Sequence, residues 1–208
     1  MPVRLPKRIA FLACLAPVAL LVAQAALGQL GANPIDKVTD VTGTWTLRFL
    51  LLTLAVTPVR RLTGWNAAVR YRRMLGLFAF FYGCLHLLTY VVLDQFFAFD
   101  EIVKDVAKRP FITAGATGLL LMIPLAITST AGWMRRLGGR RWQRLHRLAY
   151  VVAVAGVVHY YWLVKADTSR PVRYGLALAV LLAARLWFAR TAVPGTRRPG
   201  PAPAELAR

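Results

Sequence analysis

Charged residues are scarce in this chain, and acidic residues are the scarcest. Of its 208 residues only 17% are charged and only eight are Asp or Glu, whereas 58% are hydrophobic. Soluble domains contain about 45–50% apolar and about 25% charged residues. The composition therefore indicates a membrane protein. So few carboxylates also leave no carboxylate pair or Ser/His/Asp set from which an autonomous hydrolase could be assembled.

Cysteine is nearly absent as well. Cys14 and Cys84 both lie inside apolar runs, and the chain has no CxxC motif or Cys/His cluster. This excludes a disulfide framework and a zinc site of the usual spacing. The net charge of +19 would suggest nucleic acid on a soluble domain. Here the charges form clusters between apolar runs, so they report membrane topology and no nucleic-acid partner is expected.

Long apolar runs are the main feature of the sequence. A helix needs about 20 apolar residues to cross a bilayer, and six segments approach that length. The sequence predicts an all-α membrane protein, a bundle of six transmembrane helices in one domain over residues 1–193. Residues 194–208, rich in Pro, Gly and Arg, are predicted to be a disordered cytoplasmic tail. The predicted spans are Ile9–Gly28, Thr44–Val59, Met74–Leu93, Phe111–Ser129, Leu148–Val164 and Tyr174–Ala189.

The distribution of charge predicts the orientation. Most of the 27 basic residues fall in the N-terminal segment, the second and fourth connections and the tail, while every acidic residue except Glu205 falls on the opposite side. By the positive-inside rule both termini are cytoplasmic, in a bacterial inner membrane. The basic start and Ala23-Gln24-Ala25 also resemble a secretory signal with its cleavage site, but we interpret the segment as an uncleaved first span.

Only three histidines occur, and each lies in or at the edge of a predicted span. His86 and His159 lie on the third and fifth spans, which run in the same direction, both about 18–20 Å from the inner boundary. Two imidazoles at matched depth on parallel helices suit the axial ligation of one b-type haem. Zinc would need further ligands, which are missing at that level. For a single histidine, a buried polar group bonded to a neighbouring helix explains the position equally well.

Glycine precedes each of these histidines by three residues, as Gly83 and Gly156. A helical side chain leans over the turn before its own Cα, so glycine there would clear space for a porphyrin. The alternative is close helix–helix packing through small residues, which is common in membranes.

His146 lies at the inner boundary, about 20 Å along the helix from His159. That rise suits a second haem or another cofactor nearer the cytoplasm. The third span offers no histidine at that depth, so a second haem would need a non-histidine partner. An interfacial histidine among arginines is the alternative.

Two further features concern the outward side. Arg48, near the outward end of the second span, is predicted to pair with a haem propionate, or else to reach lipid headgroups. The connection Asp94–Arg109 has apolar residues at helical spacing, which predicts a short amphipathic helix on the outer surface. Its acidic residues Asp100, Glu101 and Asp105 would dock a periplasmic acceptor, or the helix would only cap the bundle.

Four segments carry a family resemblance. They resemble the ferric-reductase-like transmembrane superfamily and, within it, the MsrQ (YedZ) family of haem-binding membrane subunits in bacterial periplasmic methionine sulfoxide reductase systems. The similarity covers nearly the whole chain. The segments are Arg72-Arg73-Met74-Leu75-Gly76-Leu77, Tyr82-Gly83-Cys84-Leu85-His86, Trp142-Gln143-Arg144-Leu145-His146-Arg147-Leu148-Ala149-Tyr150 and Val158-His159-Tyr160.

The resemblance implies haem b and FMN as cofactors. It implies electron transfer from the quinone pool or a cytoplasmic flavin reductase to a periplasmic molybdopterin methionine sulfoxide reductase, in repair of oxidised envelope proteins. Larger superfamily members have two histidine pairs and a C-terminal flavin and nicotinamide domain. This chain has three histidines and about twenty residues after its last predicted span, so a second haem is left open and electrons would arrive from another molecule.

Two other functions fit the same residues. One is a quinol-oxidising cytochrome b anchor of another periplasmic oxidoreductase. The other is a small proton-coupled transporter with histidine relays. The transporter is disfavoured because no carboxylate lies within a predicted span and no pair of broken helices is apparent. The chain is expected to be an electron-transfer subunit without an autonomous catalytic domain.

Overall fold

A computed structural model describes residues 7–191, which form helices and short connections with no strand among them. The prediction of an all-α protein is confirmed. The predicted tail, residues 194–208, lies outside the described residues. The helices are α1 (Lys7–Ala26), α2 (Pro34–Thr63), α3 (Val69–Leu88), α4 (Phe99–Lys108), α5 (Pro110–Ile127), α6 (Ala131–Leu145), α7 (Leu148–Leu163) and α8 (Ser169–Arg190).

Four helical segments are long and apolar enough to cross a membrane: Lys7–Ala26, Asn66–Asp94, Pro110–Ile127 and Ser169–Arg190. The chain is therefore an integral membrane protein. Helix α7 is apolar but shorter, with 16 residues. Helix α2 is longer, with 30 residues, but its first and last turns carry charged side chains. The count of six spans and the orientation of the termini stay predictions.

Helix α2 begins well before the predicted span Thr44–Val59. Pro34 occupies the first helical position, where a missing backbone N–H costs nothing. At the other end Gly64 adopts the left-handed conformation (φ 69°), and its N–H bonds to the Arg60 carbonyl. Helix α3 continues directly into a π-helical turn, Thr89–Asp94. The length of an apolar run thus underestimates the length of the helix when the terminal turns of the helix are polar.

The bundle is organised as two tightly packed helix pairs, α2 with α3 and α5 with α7, while α8 packs on α2 and α7. Helix α6 fills the predicted fourth connection; it is rich in arginine, and none of its residues is buried. The core between α1, α2 and α3 is aromatic: Phe49, Phe78 and Tyr82 are buried and contact one another.

Tyr82 fastens α1 to this core. Its hydroxyl donates to the Cys14 carbonyl at 2.9 Å and accepts from the Val18 N–H at 3.1 Å. It thus bridges two backbone groups, four residues apart, that would otherwise pair within α1. Pro17 lies between them inside the helix, and a proline there disturbs the hydrogen-bond ladder. The tyrosine completes the backbone bonding of the disturbed turn.

The predicted amphipathic helix is confirmed as α4. Ile102 and Val106 are partly buried against the bundle, whereas Phe99 and Val103 are 64% and 68% exposed. Asp105 accepts a hydrogen bond from the Tyr90 hydroxyl at 2.9 Å and pairs with Arg109 at 3.1 Å. Glu101 also pairs with Lys104 at 2.7 Å, so two of the three predicted docking carboxylates have partners within the chain.

Candidate functional site

The structure brings His86 of α3 and His159 of α7 together between the two helix pairs. Their ring centroids lie 6.0 Å apart, with the ring planes inclined by 81°. Both side chains are partly buried. These two residues are 73 positions apart in the sequence, so only the packing of α2/α3 against α5/α7 brings their rings together, edge to face.

Each imidazole is held by a backbone carbonyl on the neighbouring helix. His86 Nδ1 lies 3.1 Å from the Thr39 carbonyl oxygen, and His159 Nδ1 lies 2.6 Å from the Phe111 carbonyl oxygen. A carbonyl oxygen only accepts, so each Nδ1 carries the proton and donates. Each Nε2 then keeps its lone pair. A neutral imidazole with its second nitrogen bonded to a carbonyl is the usual state of a metal ligand.

The donor set fits haem iron. Among residues 7–191 no group of three or more His, Cys, Asp or Glu side chains could hold a metal ion, so a zinc site with its four protein ligands is not available. Two imidazoles with free Nε2 atoms nevertheless lie side by side, with ring centroids 6.0 Å apart. A metal that receives its other ligands from a macrocycle needs only axial protein ligands, and His86 and His159 can supply them.

Two glycines that sequence reasoning missed lie against the imidazole rings. A Cβ atom added at Gly43 of α2 would be 3.0 Å from His86 Nδ1, and one added at Gly115 of α5 would be 2.7 Å from His159 Nδ1. Neither glycine is near a histidine in the sequence. The sequence gives only a weak indication of them: each glycine lies in the N-terminal third of a helix that comes earlier in the chain than the helix with its histidine.

The glycines that sequence reasoning selected have other neighbours. A Cβ at Gly83 would lie 3.1 Å from Leu119 Cδ1, and one at Gly156 would lie 3.5 Å from Leu47 Cδ1. A leucine from the opposite helix pair thus fills the space beside each glycine. Clearance for a porphyrin at Gly83 and Gly156 stays a prediction.

His146 belongs to a separate group at the other end of α5 and α7. Its Nε2 lies 3.0 Å from the Thr128 hydroxyl, and its ring stacks on Trp142 with centroids 3.9 Å apart. The Thr128 hydroxyl donates its proton to the Pro124 carbonyl at 2.6 Å, so it accepts from His146 Nε2. The lone pair of a neutral His146 is therefore on Nδ1.

Cationic side chains surround this inner group. Arg72 lies close enough to His146 and to Arg185 for electrostatic interaction with both. Arg185 points into the bundle, where it donates to the Leu54 carbonyl at 2.7 Å and to the Tyr150 hydroxyl. Within residues 7–191 the acidic residues lie at the start of α2, between positions 94 and 105 and at Asp167, and none of the ion pairs there includes Arg72 or Arg185.

Arg48 lies midway along α2, because that helix begins at Pro34. Its Nε donates to the Tyr174 hydroxyl at 2.9 Å, and its guanidinium lies 4.8 Å from the centroid of the Trp45 ring. The side chain is exposed. Its pairing with a haem propionate stays a prediction.

Comparison with known proteins identifies the family of the chain. The chain matches the family of ferric reductase like transmembrane components over residues 42–157, which include Gly43, His86 and Gly156. It is 54% identical over 185 residues to the protein-methionine-sulfoxide reductase heme-binding subunit MsrQ of Herminiimonas arsenicoxydans, covering 88% of this chain and 85% of that one. It is 53% identical over 195 residues to the MsrQ of Rhodospirillum rubrum, covering 94% and 91%.

Proposed function

This chain belongs to the ferric-reductase-like transmembrane family and, within it, to the MsrQ haem-binding subunits, and on this premise we propose that it binds haem b through His86 and His159 and carries electrons for a methionine sulfoxide reductase. One observation carries the proposal: two imidazoles lie with their ring centroids 6.0 Å apart, with each Nδ1 bonded to a backbone carbonyl and each Nε2 free. Haem iron, when bound there, supplies a one-electron carrier within the membrane.

The chain's own residues fix the chemical state of both ligands. The Thr39 and Phe111 carbonyls hold the proton on Nδ1 and orient each ring. Both ligands are therefore oriented to bind a metal through Nε2.

The electron path proposed here crosses the membrane outward. We place six spans in a bacterial inner membrane with both termini cytoplasmic, which puts His86 and His159 in the outward half. The excess of arginine in α6 supports this orientation. Reporter fusions after Arg70 and after Asp100 should show opposite locations; the same location for both would contradict it.

The proposed acceptor is a periplasmic molybdopterin methionine sulfoxide reductase, in repair of oxidised envelope proteins. The name of the relatives, heme-binding subunits of a protein-methionine-sulfoxide reductase, supports the reductase. The proposed donor is the quinone pool or a cytoplasmic flavin reductase.

A second cofactor would lie at the inner group. Arg72 and Arg185, beside His146, form a cationic set that no ion pair within residues 7–191 neutralises, which suits the phosphate of FMN or the propionates of a second haem. Arg185 is already oriented by the Leu54 carbonyl and the Thr57 hydroxyl, at 2.7 and 3.3 Å. FMN follows from the family resemblance, and the cationic set is compatible with it.

The test is a visible spectrum of the purified protein followed by transfer to the reductase. A Soret band with sharp reduced α-bands is expected, and the reduced protein should reoxidise when the periplasmic reductase and methionine sulfoxide are added. A colourless preparation would contradict haem binding and favour the transporter. Haem that reoxidises only with another periplasmic oxidoreductase would favour the quinol-oxidising anchor.

A further inference from the structure

The haem site is built twice from the same three-part element. On α2 the Thr39 carbonyl, Gly43 and Leu47 are spaced four residues apart, and on α5 the Phe111 carbonyl, Gly115 and Leu119 repeat that spacing. Residues four apart lie above one another on one helical face. The bond to His86 spans 47 positions and the bond to His159 spans 48. In both helix pairs the histidine is therefore separated from its carbonyl partner by almost the same number of residues.

Contacts between the two pairs repeat in the same way. Leu119 of the second element packs on Gly83, three residues before His86, and Leu47 of the first element packs on Gly156, three residues before His159. The site thus has an approximate two-fold relation that exchanges the two helix pairs. Because the carbonyl, glycine and leucine occur in both halves, we associate them with what both halves share, an imidazole bonded to a backbone carbonyl.

Glycine is the part of the element that permits this arrangement. The carbonyl that accepts from each Nδ1 lies one turn before the glycine, so the ring must cross the glycine to reach it. A Cβ at Gly43 would be 3.0 Å from both Nδ1 and Cε1 of His86, and one at Gly115 would be 2.7 Å from Nδ1 of His159. To move away from such a Cβ, the ring would have to lengthen the hydrogen bond from its Nδ1 to the carbonyl.

We propose that Gly43 and Gly115 are positioning residues of the haem site, which set the orientation of the two axial imidazoles by letting each ring reach its carbonyl. This inference rests on the proposed function. It adds two residues on α2 and α5 that touch neither iron nor acceptor and act through His86 and His159.

The two positions are not equivalent. Gly115 has the closer approach, and the His159 bond is the shorter one, 2.6 Å against 3.1 Å. His86 has a second polar neighbour, the Thr42 hydroxyl at 3.4 Å. Substitution at Gly115 should therefore disturb the site more than substitution at Gly43.

The test compares Gly115→Ala and Gly43→Ala with two matched controls. Gly118→Ala is one turn further along α5, where a Cβ would be 3.6 Å from the Ala155 Cβ; Gly76→Ala is on α3, where a Cβ would be 3.7 Å from Thr53 Cγ2. Both controls make ordinary contacts. Each variant is purified to a single size-exclusion peak, and its haem content, low-spin ferric electron paramagnetic resonance signal and midpoint potential are measured.

Gly115→Ala should lose haem several-fold or give shifted low-spin g values with a high-spin component. Gly43→Ala should show the same changes to a smaller extent, and both controls should match the wild type. Wild-type haem content, g values and potential in both Gly115→Ala and Gly43→Ala would overturn the inference. If Gly115→Ala does not accumulate, Gly43→Ala decides alone, since its contact is milder. A wild-type chain without haem would instead contradict the proposed function.

Discussion

At the scale of single residues, the position of one proton separates the three histidines. His86 and His159 donate through Nδ1 to carbonyls and keep Nε2 free, whereas His146 donates through Nε2 to the Thr128 hydroxyl. The first two are thus prepared as ligands through the same nitrogen and share one space. His146 lies in a different group, among cationic side chains, and its role is a separate question.

We predict that His146→Ala leaves the outward haem spectrum intact and slows haem reduction by the cytoplasmic donor. The substitution removes the ring stacked on Trp142 without touching His86 or His159. Stopped-flow reduction with a flavin reductase or a quinol measures the rate. Thr128→Val, which removes the hydroxyl partner but keeps the imidazole, should retain most of the wild-type reduction rate. Unchanged kinetics in His146→Ala would reduce this residue to an interfacial side chain.

Arg48→Gln tests the predicted contact with a haem propionate. A nearby positive charge favours the reduced haem, so its loss should lower the midpoint potential by roughly 20–70 mV. The upper figure corresponds to a unit charge at about 10 Å with an effective dielectric constant of about 20. Tyr174→Phe keeps the charge and removes only the hydroxyl to which Arg48 donates, so it should leave the potential unchanged. An unaltered potential in Arg48→Gln would assign Arg48 to helix packing alone.

At the scale of secondary-structure elements, α4 is the element of the proposed outward side with the most charge available to a partner. Asp100 and Glu101 are exposed, whereas Asp105 is bonded to Tyr90 and Arg109. The exposed pair of Lys104 with Glu101 contributes little to stability, so these charges can be changed without unfolding the helix.

Charge reversal of α4, as Asp100→Lys with Glu101→Lys, should slow electron delivery to the periplasmic reductase at low salt. Charges at such a rim act on the encounter rate and are screened by ions. The reversed double substitution Lys104→Glu with Lys108→Glu should have the opposite effect, while haem content stays constant in both. Acceptor reduction that is independent of these substitutions across a salt series would place docking elsewhere.

Tyr82→Phe should loosen α1 from the bundle. The lost hydroxyl leaves the Val18 N–H and the Cys14 carbonyl without their bridge, which should cost about 1–3 kcal/mol in the free energy of unfolding. Thermal unfolding in detergent measures it, with Tyr161→Phe as the control at a side chain that is 49% exposed. Equal melting temperatures for the two variants would show that the bridge contributes no stability. Haem content should not change.

At the scale of the whole molecule, hydropathy and spacing predicted what depends on one helix at a time. The all-helical class and α4 follow from local periodicity, and the three histidines stand out because polar groups are rare in apolar runs. The outward turns of α2 were missed because Asp36, Lys37 and Asp40 resemble a connection.

Contacts between helices could not be predicted in the same way. Gly43 and Gly115 acquire meaning only when α2 packs on α3 and α5 packs on α7, which places a glycine against an imidazole 43 or 44 positions away. Arg185, within the predicted sixth span, points inward because the Leu54 carbonyl and the Tyr150 hydroxyl accept from it. Such partners are set by packing across the bundle and leave no local pattern.

The central claim is that His86 and His159 hold one haem between the two helix pairs. The direct measurement is haem stoichiometry, by the pyridine haemochrome method, together with the visible spectrum of His86→Ala, His159→Ala and His146→Ala. The account predicts that the first two variants each lose the same low-spin haem, because a site with two axial ligands fails when either is removed, and that His146→Ala keeps it. A full low-spin spectrum in either His86→Ala or His159→Ala would contradict the pairing on which the account depends.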